Sequence, residues 1–100
     1  MADERAAATA LLEAGNFAEA RVRFERVTET LRTNETAIWL LELADLLASS
    51  GGRPTPAELA ALADKVGSEG AAAALRAPFG TPSSLVAGVL DGLRCEGLWR

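Results

Sequence analysis

Few residues in this chain carry reactive chemistry. It has no histidine and no tyrosine, so a Ser-His or Cys-His nucleophile pair cannot be assembled from it. The one cysteine, Cys95, stands beside Arg94, whose charge would favour the thiolate. A lone cysteine at helical spacing nonetheless reads first as a small core residue. Glu42 and Asp45 share a helix face and would form a carboxylate pair, but no second acidic pair at matching spacing accompanies them, and a solvated stripe is the simpler reading. A zinc site wants several cysteine or histidine ligands. Gly80-Thr81-Pro82-Ser83-Ser84 would set hydroxyls and amides at a helix start, the geometry of an unspecific anion site. The expectation is a chain without catalysis, metal or cofactor.

Composition says what elements surround these residues. Of the 100 residues, 21 are Ala and 15 are Leu, while Val and Ile together number six. Ala and Leu lose little entropy in a helix, whereas strands favour β-branched residues, so the fold class is all-α. One hundred residues make one domain able to bury a core without staples. Residues 1–50 carry nine acids and five bases and residues 51–100 carry five of each, for a net charge of −4. That balance offers no electrostatic reason to bind nucleic acid or an anionic membrane. Cys95 has no partner for an internal disulfide, and MADERAAATA lacks the basic-then-apolar order of a secretion signal. Both fit a cytoplasmic location. The alanine-rich, arginine-over-lysine usage resembles that of proteins from GC-rich bacterial genomes.

The helices can be placed in order. Residues 3–14 set Ala7, Ala10, Leu11 and Ala14 at helical spacing, with Asp3 and Glu4 in the first turn where the dipole favours negative charge. Gly15-Asn16 ends this helix, both residues tolerating the left-handed conformation. A second begins at Phe17, and Phe17, Ala20, Phe24, Val27 and Leu31 form its stripe. The two-residue break makes the pair an antiparallel hairpin. From Glu35 to Ser49 apolar residues cover most of a helical circumference, leaving a narrow polar stripe at Glu35, Glu42, Asp45 and Ser49. Such a helix is normally buried on several sides, and at about fifteen residues it is too short to span a bilayer.

Thr55-Pro56-Ala57-Glu58 provides an N-cap, a first-turn proline and the glutamate of a capping box. Leu59, Leu62, Ala63 and Val66 follow as an inward stripe. Ser68 caps a short alanine-rich helix through Leu75, and Phe79-Gly80 connects to a last helix that starts at Thr81-Pro82 and presents Leu85, Val86, Val89, Leu90 and Leu93. The architecture expected is five or six short antiparallel helices packed around the apolar helix 35–49, with 1–66 repeat-like and 67–100 as capping helices.

Gly15, Phe17, Ala20, Phe24 and Val27 resemble the second half of a tetratricopeptide repeat, in which glycine turns the chain, alanine lets helices approach and aromatics fill the space between hairpins. Leu40, Leu43, Ala44, Leu47 and Gly51 resemble a fainter second copy, with Arg53 and Ala60 at aromatic positions. The resemblance covers residues 4–66 and is specific over 15–27. It implies binding of a peptide or helix of a partner protein in a groove lined by residues 3–14 and 35–49. Glu4, Glu13, Glu42 and Asp45 would then be contacts for a basic or amphipathic ligand, or acids that merely solvate the surface. Trp99, as an aromatic, is a further candidate anchor.

In the last helix Ser84, Gly88 and Gly92 lie at i, i+4 and i+8, a face on which another backbone can approach closely. It would serve packing within the chain or a homo-oligomer contact. Residues 68–99 also resemble a winged-helix or helix-turn-helix unit, through LVAGVLDGLRCEGLW after a turn. That resemblance implies a DNA-binding regulator as the alternative function. Its helix would offer Ser83, Ser84, Ala87, Gly88 and Asp91, whereas base edges are usually read by Arg, Lys, Asn or Gln.

The expected function is thus a non-catalytic interaction module: adaptor, inhibitor or small assembly factor. The helix-two stripe makes one prediction directly. Phe24→Ala should cost about 3–5 kcal/mol in chemical unfolding, as large core truncations do; a loss below about 1 kcal/mol would place the stripe outside the core.

Overall fold

Helix starts are set by side chains that hold otherwise unpaired first-turn amides. Asn34 accepts from the Ala37 N–H at 3.0 Å, Ser68 from Ala71 at 3.1 Å and Thr81 from Ser84 at 3.1 Å. Thr55 and Glu58 form a reciprocal capping box ahead of Pro56. In this computed structural model, which describes residues 4–78 and 80–99, six helices result. They are α1 (Glu4–Glu13), α2 (Phe17–Thr30), α3 (Glu35–Ser49), α4 (Pro56–Lys65), α5 (Glu69–Arg76) and α6 (Pro82–Cys95). The expectations at Asp3 and Phe79 lie outside the described residues. Among those residues there is no strand, and no helix is long and apolar enough to cross a membrane.

Three helices end in the same way. After α1, α3 and α6 the chain passes through Gly15, Gly51 and Gly97 at φ +86°, +63° and +71°. The following amides, of Asn16, Gly52 and Leu98, donate back to Leu11, Leu47 and Leu93 at 2.8–2.9 Å. These are Schellman closures, which need a residue free of the left-handed Cβ penalty.

Packing runs mostly between sequence neighbours: α1 with α2, α2 with α3, α4 with α5, and α5 with α6. The hairpin α1–α2 buries Ala20, Phe24 and Val27. α3 buries Ala37, Trp39, Leu40, Leu43, Ala44 and Leu47, chiefly against α2, and touches α4 at few points. There Trp39 fills the space, its indole Nε1–H donating to the Leu62 carbonyl at 3.0 Å. Leu62 lies in the last turn of α4, where carbonyls lack intrahelical donors, so the indole completes that helix end. α6 returns to α1, closing the set into a slab 37 × 27 × 18 Å, about two helix diameters thick.

The inner face of α1 differs from the stripe expected for it. Ala8, Thr9 and Leu12 are buried, while Ala10 and Ala14 are exposed. Alanine occurs on every side of this helix, so its stripe carries little preference, and the deciding group lies elsewhere. Trp99 donates its indole N–H to Thr9 Oγ1 at 3.0 Å, and Thr9 donates to the Arg5 carbonyl at 2.7 Å.

α5 and α6 approach most closely at two glycines. A β-carbon on Gly92 would stand 2.5 Å from both the Ala71 amide nitrogen and the Gly70 carbonyl carbon, and one on Gly70 would be 2.9 Å from the Gly92 Cα. Gly88 is less confined, its β-carbon position lying 3.3 Å from the Ala74 methyl. Gly92→Ala should therefore destabilise by about 1–3 kcal/mol through overpacking against backbone, although alanine gains about 1 kcal/mol of helix propensity. Gly88→Ala should stay near neutral by urea unfolding. Equal effects at both positions would remove the close crossing.

The capping box carries a second prediction. The Thr55 backbone N–H and hydroxyl both bond the Glu58 carboxylate at 3.0 Å, and these bonds, the backbone one first, hold its pKa below the ordinary glutamate value. A lowered folded pKa means stabilisation present above the unfolded value and lost as pH falls through the folded one. Wild type should thus be more stable than Glu58→Gln at neutral pH, with the difference disappearing in acid melts. A difference independent of pH would contradict the carboxylate's role.

Candidate partner interface on α3

The four acids picked out by sequence are all at the surface, and each faces a cation on another helix. Glu4 meets Arg23 at 3.6 Å and Glu13 meets Arg94 at 3.4 Å. Glu42 meets Lys65 and Asp45 meets Arg21, both at 3.7 Å. Exposed pairs of this kind contribute about 0–1 kcal/mol and leave both partners free to exchange. Glu42 and Asp45 come together on one surface, whereas the pairs of Glu4 and Glu13 tie α1 to α2 and to α6 and do not join it.

Trp99 is not a surface anchor. It is 3% exposed, tilted at 48° against Phe24 with ring centroids 6.3 Å apart, and the Arg5 guanidinium carbon lies 6.0 Å from its ring centroid. The Schellman turn at Gly97 directs it inward, where its apolar area and its N–H both find partners. Of the small-residue face, Gly92 and Gly88 are met within the chain by Gly70 and Ala74. Ser84 sits at the exposed start of α6 in the Thr81 cap. A second copy of the chain would have to displace α5 to use the two glycines.

The outer side of α3 carries apolar surface that the other helices leave incompletely covered. Ile38 is 41% exposed, and Leu41 and Leu46 are only partly covered. Depressions flank this ridge on both sides. One of about 320 Å³ toward α2 is lined by Arg21, Glu25, Leu41, Glu42 and Asp45. Another of about 350 Å³ toward α4 includes Asp45, Leu46, Glu58, Leu62 and Lys65. Ile38, Glu25 and Glu58 belong to this surface, although the sequence marked none of them as a contact. Ile38 was readable in principle, since positions 35, 38, 42, 45 and 49 advance by three, four, three and four along the polar stripe itself. Glu25 and Glu58 reach it only through tertiary packing.

Cys95 is not the small core residue expected: at the C-terminal end of α6, just past the buried stripe, it is exposed. An apolar groove of about 470 Å³ runs between the start of α4 and the end of α5, lined by Pro54, Pro56, Leu59, Leu75 and Pro78. Among the described residues no group of three or more His, Cys, Asp or Glu side chains is placed to hold a metal ion.

Set beside known protein families, curated proteins and solved structures, the chain matches none of them.

Proposed function

We propose that this protein is a non-catalytic interaction module, an adaptor, inhibitor or small assembly factor, that docks a peptide or helix of a partner protein on the outer face of α3. One observation carries the reading. α3 is apolar nearly all round, as a helix covered on several sides should be, yet Ile38 is exposed and Leu41 and Leu46 are only partly covered beside Glu42 and Asp45. A partner covering that side would resolve the mismatch between composition and environment.

The tetratricopeptide-like pattern supports the same class of function for the first hairpin, because Ala20, Phe24 and Val27 are all inward. It supports it less for residues 35–66, where α3 and α4 make few contacts. The DNA-binding alternative gains nothing from α6. Its exposed residues include Ser83, Ser84, Ala87 and Asp91, none of them a usual base reader.

The test is affinity capture from native lysate through a photo-crosslinker at Ile38, with one at exposed Ala57 as control. A protein captured from position 38 alone, and lost in a Glu42→Lys, Asp45→Lys variant that melts like wild type, is the expected result. Identical capture from both positions, or by both proteins, would clear α3 of a docking role.

A further inference from the structure

We infer that the occupant of the α3 face is a cationic amphipathic helix of another protein, an inference that rests on the docking reading above. Charge is the first argument. α3 carries Glu35, Glu42 and Asp45 and no base, and the flanking depressions add Glu25 and Glu58 against Arg21 and Lys65. Five carboxylates face two cations, and the surface is left at −3. The Arg21–Asp45 and Lys65–Glu42 pairs, at 3.7 Å and exposed, are weak enough for incoming lysine or arginine to replace.

The backbone of the ligand is the second argument. Peptides that bind in extended form usually add to a free sheet edge, which pairs their main-chain groups. Among the described residues there is no strand, hence no edge to pair an extended ligand, whereas a helix satisfies its own amides and carbonyls. Polyproline recognition needs an aromatic-lined groove, and Trp39, the aromatic on α3, is 4% exposed. A helix remains, set along α3 with apolar residues over Ile38, Leu41 and Leu46 and basic residues toward Glu42, Asp45 and Glu58. The 15 residues of α3 give it about 22 Å of length to lie against.

A second copy of this chain does not fit the same surface. It would oppose −3 with −3 in a chain whose net charge is −4, and like charges brought face to face repel. An anionic membrane is repelled for the same reason.

The probe is a designed amphipathic helix of about 18 residues with leucine on one face and lysine on the other; its companion carries glutamate in place of lysine. Binding to the full chain is followed by fluorescence anisotropy and by backbone amide shifts. The lysine helix should shift the amides of Ile38, Leu41, Glu42, Asp45 and Leu46, weaken as salt rises, and bind about tenfold less tightly to the Glu42→Lys, Asp45→Lys variant. Circular dichroism verifies that this variant is folded, and Ile38→Ala, which leaves the charges alone, should weaken the same probe. Equal binding of the glutamate helix, shifts centred on the proline-lined groove between α4 and α5, or unchanged affinity in the charge-reversed variant would overturn the inference. A partner crosslinked at Ile38 through a segment that is neither helical nor basic would overturn it too, while leaving the docking face standing.

Discussion

Two indole N–H groups hold this molecule together across its seams. Helices α1–α3 pack in succession, and so do α4–α6. Where the two sets meet, Trp39 of α3 donates to the Leu62 carbonyl of α4, and Trp99 beyond α6 donates to Thr9 of α1. Both bonds are buried, and an indole N–H left without its acceptor there would cost about 1–3 kcal/mol. Each ring therefore fixes a seam twice, by the volume it fills and by the direction its N–H must take. Ion pairs lie over the same seams, Lys65 with Glu42 and Arg94 with Glu13, but they are exposed and add little. The connecting loop adds a third joint. Gly52 is wedged so that a β-carbon would stand 3.2 Å from both the Phe17 ring and the Pro82 ring.

Within each set the opposite strategy applies. Where the seams rely on the largest side chain, neighbouring helices inside a set are brought together by the smallest ones. Ala20 and Ala44 are fully buried, and Gly70 meets Gly92 backbone to backbone. A chain rich in alanine has little bulk per residue, so its helices must come close to leave no voids. Close approach in turn demands glycine where the crossing is tightest. The loss of helix propensity at Gly70 and Gly92 is the cost of that geometry.

Much of this was legible because it is local. Thr55-Pro56, Ser68 and Thr81-Pro82 announce the starts of α4, α5 and α6, and capping depends on residues within one turn. The stripes of α2, α4 and α6 were legible for a similar reason: bulky residues recur at helical spacing with charges between them. α1 was not, because alanine around its circumference leaves the choice of inner face to Trp99, ninety residues away. Trp99 itself read as a surface anchor, since nothing near it in sequence shows that Gly97 turns it under Phe24. Gly70 was invisible as half of a crossing, because only the fold brings it to Gly92. At α3 the residues were read correctly as apolar nearly all round, and the fold leaves Ile38 alone among them exposed, with Leu41, Leu46 and Ala48 partly covered. Of the acids, only Glu42 and Asp45 share a surface, because the side on which a carboxylate emerges is local but the helix beside it is not.

The seam between α3 and α4 has a consequence for how the molecule breathes. Few contacts cross it, so once it and the Trp99 seam open together, each triplet of helices can detach as a cooperative unit that keeps its own packing. Amide hydrogens near Val66, behind the carbonyl that Trp39 occupies, would then exchange with solvent on a faster clock than those of α2, and the protein would behave in the native state as two coupled foldons within a single globule.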